Sequence, residues 1–297
     1  AEADIAKIEA WIAAGAKFDG PSTTAPVERV AALVKATTAT HEELSAEREQ
    51  IAGSNWRLAL PGVESKSIST KNFLVMGNLG EEALAEVGAA AEATAPEVAK
   101  VFAADPDAPL VKGRLTLFAF PQRYDYAEFG QMVEKRKLPT QWYGHWSYDT
   151  VDAYGCLVPS RSGKYSANAL IAQQLAGVYV ASCGSPPRWF AEGSARAVAA
   201  RLAATDSRVK AWDEALPSAL GAMTAADDFM TGKIPEEEAM LAAYSFAKFL
   251  MKDARRYQKL LDDLRDGGEF DAVFVQVYGG TPAQVAASWA PRAIRGR

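Results

Sequence analysis

The chain has 297 residues, of which 49% are hydrophobic and 23% are charged, and its net charge is −5. These values are typical of a globular protein with one or two domains, and they argue against a nucleic-acid partner, which calls for a surplus of positive charge. No apolar run reaches the roughly 18–20 residues of a membrane-spanning helix. No charged-then-apolar leader opens the chain, so residue 1 is expected to be a processed end or a cut in a longer sequence.

The N-terminal segment is predicted to be helical. Residues 1–18 form an amphipathic helix, and its apolar face carries Ile5, Ile8, Trp11 and Ile12. A polar linker follows at 21–26. Residues 26–52 predict one long helix with a charge-rich end, in which His41 is expected to be a solvated surface residue.

From Trp56 the pattern changes to the alternation that is typical of strands. Strands are predicted at 56–60, 67–78 and 113–120, with helices at 80–103 and 126–136. Pro96 is expected to break or kink the first of these helices. Residues 138–158 predict two more strands that join near Asp149.

The last predicted strand pair is dense in aromatic side chains. It contains Trp142, Tyr143, Trp146, Tyr148 and Tyr154, together with His145. Aromatic residues with a polar atom often line binding surfaces. They are also good strand formers, so this density indicates either a cleft lining or plain packing.

A helix–turn–helix pattern follows at 168–201. The apolar face of the first helix carries Leu170, Ile171, Leu175 and Val178. The turn at 183–186 ends this helix, and Pro187 suits the first turn of the next one. Two further helices are predicted at 209–223 and 236–252.

The segment Pro-Arg-Trp-Phe-Ala-Glu-Gly at 187–193 resembles a motif of the gluzincin metallopeptidases, in particular the bacterial "peptidase MA-like" group. In that family the Glu of this motif, here Glu192, is the third zinc ligand. The preceding helix carries His-Glu-x-x-His, but this chain has Gln-Gln-Leu-Ala-Gly at 173–177. The resemblance runs from about Asn72 to Trp289 and includes the segment FDAVF at 270–274.

The resemblance implies an α+β, zincin-like fold with a mixed sheet, a cleft-edge strand, an active-site-type helix and a helical C-terminal lobe. The implied domain covers 56–297, with a β-rich half at 56–160 and a helical half at 161–297. One of the aromatic strands at 138–158 would then border the cleft and bind peptide backbone by strand addition.

The N-terminal residues 1–21 resemble the last helix of a cytochrome c-like domain found in exported planctomycete proteins. Residues 22–55 would then be a linker and a long helix. The chain has no Cys-x-x-Cys-His motif, so haem is expected only if a haem domain precedes this sequence.

The degenerate motif predicts a site that neither binds zinc nor catalyses hydrolysis. A catalytic zinc needs about three protein ligands, but a Gln173 amide is a poor ligand and Gly177 has no side chain. Gln174 would replace the general base and has no basic group near neutral pH. Alternatively, Gly177 is a helix-contact glycine in an unrelated fold.

Without a metal, Glu192 needs other partners, because a carboxylate in a cleft requires donors or a cation. The predicted candidates are Gln173, Gln174, Arg161, Arg188 and Arg196. One alternative is that Glu192 is an ordinary surface carboxylate. Another is that His145 joins Glu192 and a thiol in a reassembled metal site.

The two cysteines, Cys156 and Cys183, leave two interpretations open. A disulfide would attach the first motif helix to the sheet edge and would indicate an exported protein. The alternative is a pair of buried free thiols.

These observations predict a non-catalytic, metallopeptidase-like module of an exported bacterial protein, located in the periplasm or at the cell surface. Its role would be binding or structural, with a protein or peptide as the expected partner and no cofactor. Two alternatives stay open: an active zinc metallopeptidase with replaced ligands, and an accessory domain of a cytochrome c-containing electron-transfer protein. The sequence predicts no oligomeric state.

Overall fold

A computed structural model describes residues 2–15, 27–160 and 165–295 of the chain. The predicted linker at 21–26 lies outside these residues, as do residues 16–18 of the first predicted helix. The chain divides into two compact units, residues 1–39 and residues 40–297. The predicted boundary between residues 55 and 56 falls inside a helix of the second unit.

The first unit contains helices α1 (Glu2–Ala13) and α2 (Val27–Thr38). The four apolar side chains that were predicted to share one face of α1 are all exposed, and they are Ile5, Ile8, Trp11 and Ile12.

The second unit combines a five-stranded sheet with helices. The strands are β1 (Lys66–Ser69), β2 (Phe73–Gly77), β3 (Leu115–Ala119), β4 (Gly144–Tyr148) and β5 (Ala153–Leu157). The helices are α3 (His41–Ala59), α4 (Glu81–Val101), α5 (Arg123–Met132), α6 (Ala167–Ser182), α7 (Arg188–Leu202), α8 (Ser207–Gly221), α9 (Glu236–Leu250), α10 (Ala254–Arg265), α11 (Phe270–Tyr278) and α12 (Pro282–Arg295). This composition confirms the α+β prediction.

The sheet has the strand order β1-β2-β3-β5-β4. Strands β2, β3 and β5 are parallel, whereas β1 and β4 run antiparallel to their neighbours. Helices α4 and α6 pack on one face, and α3 and α5 lie on the other. Strand β4 therefore lies at one edge of the sheet, next to helix α6.

The predicted long helix at 26–52 is two helices. Helix α2 ends at Thr38, and Thr40 caps α3 by accepting the Glu43 backbone N–H, while the Glu43 side chain accepts the Thr40 N–H. This reciprocal capping box satisfies N–H groups that a helix start leaves unpaired, so it favours a new start over a continuous helix.

The prediction of a strand at 56–60 is wrong, because helix α3 continues to Ala59. Trp56, Ala59 and Leu60 are all buried. Their spacing of three and four residues is that of a helical face, and the same short apolar run also fits a strand. The Trp56 indole N–H donates to the Val63 carbonyl at 2.8 Å, which fixes the chain after the helix.

His41 is not a solvated surface residue. It is half-buried at the start of α3, and its Nδ1 accepts the Gly113 backbone N–H at 3.1 Å. At Pro96 the helix is not broken, because α4 runs through this residue from Glu81 to Val101.

The predicted disulfide is not formed, and both thiols are free and buried. Cys156 points to the α3/α5 face of the sheet, where it packs in the cluster that contains Phe118 and Tyr154. Cys183 ends helix α6 on the opposite face, and its Sγ lies 3.3 Å from the Tyr179 carbonyl. Because side chains alternate across a strand, Cys156 cannot turn towards α6. A disulfide therefore gives no support to the prediction that the protein is exported.

Within the described residues, none of the helices combines the length and the apolar character needed to cross a bilayer.

Candidate functional site

The candidate site lies where helix α6 packs against strand β4 and against helix α7. Helix α6 carries the residues at the degenerate motif positions, and α7 carries Glu192 and Arg196. Strand β4 and the segment before it carry the aromatic residues. Because α6 is buried on nearly all sides, its polar side chains must find partners inside the protein.

Glu192 is buried, with 7% of its surface exposed, so it is not an ordinary surface carboxylate. Its Oε2 accepts the Trp146 indole N–H at 2.8 Å, and its Oε1 accepts the Gln173 amide N–H at 3.0 Å. The Arg196 Nε lies 3.5 Å from the same Oε1 and forms an ion pair with it. Gln173 and Arg196 are thus two of the predicted partners, and Trp146 is a third donor that the sequence did not predict.

The network continues from Arg196 to helix α9. Arg196 donates to both carboxylate oxygens of Glu237 at 2.9 and 3.1 Å, and the Trp142 indole N–H donates to Glu237 at 3.0 Å. Burial is the largest single influence on both groups and opposes their ionisation. The charges and hydrogen bonds of their partners together outweigh it, so the pKa of Arg196 is raised and the pKa of Glu237 is lowered.

The Gln173 amide links this network to helix α8. Its Oε1 accepts from Arg208 at 2.6 Å, while its Nε2 donates to Glu192. A guanidinium can only donate and an ionised carboxylate can only accept, so the two partners fix the orientation of the amide. Gln173 therefore presents N–H groups, not an oxygen, to Glu192.

Gln174 makes no hydrogen bond to Glu192. Its side chain packs against β4 and β5, where Gly144 and Gly155 leave room for it. Both amide atoms are buried and have no hydrogen-bond partner in the described part of the chain. Gln174 therefore points into the sheet.

Gly177 makes room for the Trp146 indole. A Cβ atom built at Gly177 would overlap the indole ring at its Nε1 edge. The absence of a side chain at this position is what allows Trp146 to reach Glu192 across helix α6.

The residues present do not fit a catalytic zinc ion. The three groups that face Glu192 are the N–H donors Trp146, Gln173 and Arg196. Their N–H groups stabilise an anion and repel a cation, and the one side-chain oxygen among them, Gln173 Oε1, accepts from Arg208. Across the described ranges, no three His, Cys, Asp or Glu side chains come together as a ligand set.

The other predicted partners of Glu192 lie elsewhere. Arg188 pairs with Glu236 at the surface at 3.2 Å, and Arg161 lies outside the described residues.

His145 belongs to a separate polar cluster on the other face of β4. Its Nδ1 lies 2.8 Å from the Tyr126 hydroxyl, and its Nε2 lies 2.5 Å from Glu134 Oε1. Glu134 also accepts from Tyr154 at 2.8 Å and from Arg136 at 2.6 Å. With both ring nitrogens engaged there, His145 does not join Glu192, and Cys183 is engaged by Arg265 instead.

Burial disfavours ionisation of Glu134, but this effect is more than offset. Hydrogen bonds and charge from His145 and Arg136 bring the pKa of Glu134 down to about 2. The cluster therefore stabilises the ionised form of a partly buried carboxylate.

Two of the cavities that Glu192 borders are also lined by residues of β4. The first, here named the Arg208 cavity, measures 400 Å³ and is lined by residues that include Trp142, Tyr143, Gln173, Arg196, Arg208 and Trp212. The second, the Glu134 cavity, measures 490 Å³ and is lined by residues that include Glu134, Trp146, Ser147, Tyr148, Tyr154 and Arg188. Trp142, His145 and Glu192 border both, so the two cavities adjoin one cleft.

The edge of β4 is available for pairing. Val158 N–H donates to the Tyr143 carbonyl and Asp149 N–H donates to the Asp152 carbonyl, both at 2.8 Å. In an antiparallel ladder the bonded residues alternate, so the backbone groups of Gly144, Trp146 and Tyr148 point away from β5. No backbone bond to another segment of the described chain engages them. Gly144 is buried, whereas Trp146 and Tyr148 are partly exposed.

The structure brings most of the predicted site residues together. Gln173, Glu192, Trp142, Tyr143, His145, Trp146 and Tyr148 all line one or both cavities. The sequence did not single out Glu134, Arg208, Trp212 or Glu237, which also line them. The only signal for Glu237 was the run of three glutamates at 236–238, which is equally typical of a helix start.

Comparisons with known proteins return no match, either to a family model or, at a significant score, to a curated protein.

Proposed function

We propose that the chain is a non-catalytic, metallopeptidase-like module with a zincin-like fold, and that its cleft binds an extended peptide along strand β4. The observation that carries the proposal is the hydrogen bonding of Glu192, whose two carboxylate oxygens are engaged by Trp146, Gln173 and Arg196. This carboxylate is held by protein donors in the place where the related peptidases use it to hold a metal.

The positions of the degenerate motif support the same proposal. Gln174, at the position of the general base, lies beneath β4 and β5 with no hydrogen bond to Glu192. Gly177, at the position of a zinc-binding histidine, is packed against the Trp146 indole. Neither of these two positions supplies a zinc ligand or a general base for peptide hydrolysis by activated water.

The open edge of β4 supports a peptide as the ligand. An edge strand offers a row of unpaired backbone groups, which an added strand satisfies. Here that row lies between two cavities whose linings include Trp142, Trp146 and Tyr148. The backbone of a bound peptide would pair with β4, and alternate side chains would enter the cavities.

Peptide binding is tested with a library of acetylated random hexapeptides passed over the immobilised chain, followed by mass spectrometry of the retained peptides. We expect retention that a chelator does not change. Single N-methylation along a retained peptide is then expected to weaken binding at every second position, because only alternate N–H groups of an added strand face β4. Retention of no peptide, or a loss of binding without this period of two, would contradict the proposal.

Catalysis is tested on the same retained peptides. We expect no cleavage during prolonged incubation, with or without added zinc. Cleavage that a chelator stops and that Glu192→Gln abolishes would instead establish a working metallopeptidase.

A further inference from the structure

The charge distribution in the Arg208 cavity is uneven. Arg196 contacts two carboxylates, Glu192 and Glu237. The Arg208 side chain donates a hydrogen bond to the neutral amide of Gln173, at 2.6 Å, and lies against the faces of two aromatic rings. One positive charge in this cavity therefore has no carboxylate in contact with it among the described residues.

The guanidinium of Arg208 lies in a largely apolar setting. Its central carbon is 5.0 Å from the centroid of the Trp212 ring and 5.9 Å from that of Tyr165. Its Nη1 is buried and has no hydrogen-bond partner within the described residues. Burial, reinforced by repulsion from Arg196, lowers the pKa of Arg208 to about 10. The group stays charged at neutral pH, and a buried N–H without an acceptor is costly.

Asp206 is the nearest carboxylate along the chain, but its oxygens are already engaged. Oδ1 accepts the backbone N–H of Arg208 at 2.9 Å, and Oδ2 accepts that of Ser166 at 2.6 Å. Asp206 caps helix α8, and within the described residues no ion pair joins it to the Arg208 guanidinium, although its charge favours the charged form.

The two cavities lie towards opposite ends of β4. Gly144, the first residue of β4, lines the Arg208 cavity, whereas Tyr148, the last, lines the Glu134 cavity. A peptide that pairs antiparallel to β4 ends at the Gly144 side. Its C-terminus would therefore reach the Arg208 cavity.

We propose that the Arg208 cavity is a pocket for the free C-terminal carboxylate of a peptide whose last side chain is apolar or aromatic. This inference rests on the proposed peptide-binding function. A guanidinium matches the planar carboxylate with two parallel hydrogen bonds. The rings of Tyr143, Tyr165 and Trp212 would surround the last side chain.

The size and charge of the cavity fit such a group. Its volume of 400 Å³ accommodates one large side chain together with a carboxylate. A single negative charge can pair with Arg208, whereas a doubly charged group would be repelled more strongly by Glu192 and Glu237. Since Nη1 is closed off from water in the free chain, binding includes a rotamer change of Arg208 of the kind that binding sites commonly show.

The test uses two matched libraries of acetylated hexapeptides, one ending in a free carboxylate and one in a carboxamide. We expect the immobilised chain to retain free acids with apolar or aromatic last residues. Amidation of a retained peptide should weaken its binding at least about tenfold, as measured by calorimetry, because a hydrogen bond between two charged groups is lost.

Two variants test whether the preference for a free carboxylate depends on Arg208. In Arg208→Gln the ratio of acid to amide affinity should fall to near one, and Arg208→Lys should keep part of it. Lys210→Gln, which removes an exposed charge from the same helix, is the matched control and should leave the ratio unchanged. The ratio is measured within each variant, so it is insensitive to a change in overall stability.

Two results would overturn the inference in distinguishable ways. Equal binding of acids and amides would remove the carboxylate pocket but keep the peptide-binding function. Retention of neither library would remove both.

Discussion

At the residue scale, Gly177 and Trp146 depend on each other. The indole of Trp146 reaches Glu192 only because position 177 has no side chain. A glycine within a helix costs about 1 kcal/mol relative to alanine, and the packing and hydrogen bond of Trp146 offset that cost. Position 177 therefore has a structural role in this chain.

We expect Gly177→Ala to destabilise the chain by about 1–3 kcal/mol, although alanine favours a helix, because the new methyl group displaces the Trp146 indole. Urea unfolding measures the change. Gly53→Ala in helix α3 is the matched control, since a Cβ there meets only the flexible end of Arg57 at 3.4 Å. This control should stabilise the chain, by up to about 1 kcal/mol.

A second variant tests whether the clash with Trp146, and not helix propensity, causes the loss of stability in Gly177→Ala. In a Trp146→Ala background the space is empty, and Gly177→Ala should then become neutral or stabilising. A loss of stability in that background equal to the loss in the parent chain would show that Trp146 is not what excludes a side chain at position 177.

Glu134 makes stability depend on pH. Its pKa is about 2 in the folded chain, against a usual value of 4.5. A carboxyl whose pKa falls on folding stabilises the protein above its unfolded pKa and loses that contribution as pH falls through the folded one. The window in which stability is lost therefore runs from about pH 4.5 down to about pH 2.

We expect the parent chain to lose about 2 kcal/mol of unfolding free energy between pH 6 and pH 3 through this group. In Glu134→Gln that part of the pH dependence should disappear, at the cost of lower stability at pH 6. Denaturant unfolding at the two pH values measures both. Glu64→Gln, at an exposed position, should keep the parent profile, and a Glu134→Gln chain that also keeps it would refute the assignment.

At the element scale, the predictable parts of the fold were those with strong local signals. The buried strand β3, the long helix α4 and the strand pair joined near Asp149 were all predicted in place. The Asp149 side chain stabilises the turn between β4 and β5, because it accepts hydrogen bonds from the backbone N–H groups of Val151 and Asp152 at 2.8 and 2.9 Å.

The errors arose where one local pattern allowed two structures. The apolar residues at 56–60 fit a strand as well as the buried face of α3, and only packing against the sheet decides between them. The helices α2 and α3 were merged because the signals at Thr40 and Glu43 lie inside a stretch with good helix formers on both sides.

The capping box at Thr40 is expected to stabilise the start of α3. Thr40→Ala removes the acceptor for the Glu43 N–H, which is 3.2 Å away, and should lower the unfolding free energy by about 1 kcal/mol. Thr40→Ser keeps a hydroxyl there and should change it little. Thermal unfolding followed by circular dichroism compares the two variants, and equal effects would show that the hydroxyl is not what stabilises the helix start.

At the scale of the whole molecule, the packing of elements explains which site residues could be predicted from the sequence and which could not. Local motifs identified the residues of α6, α7 and β4, and their convergence follows from the packing of these elements. Arg208 and Glu237 reach the cleft from α8 and α9, 35 and 41 residues away from the partners they bind, Gln173 and Arg196. No local pattern links such pairs.

Strand alternation decided two further questions. Trp146 faces α6, so it reaches Glu192, whereas the adjacent His145 faces α5 and joins Glu134. The same alternation keeps Cys156 away from Cys183. Residues that are adjacent in the sequence, such as His145 and Trp146, can therefore belong to different sites. Only the register of the sheet shows which residue faces which side.

The central claim is that Glu192 is held by N–H donors of the protein in a site that does not take a metal. Calorimetric titration of the metal-stripped chain with zinc at neutral pH tests it most directly. We predict no binding of one zinc per chain with a Kd below about 1 μM. Binding of one zinc below that concentration, lost in Glu192→Gln, would contradict the claim.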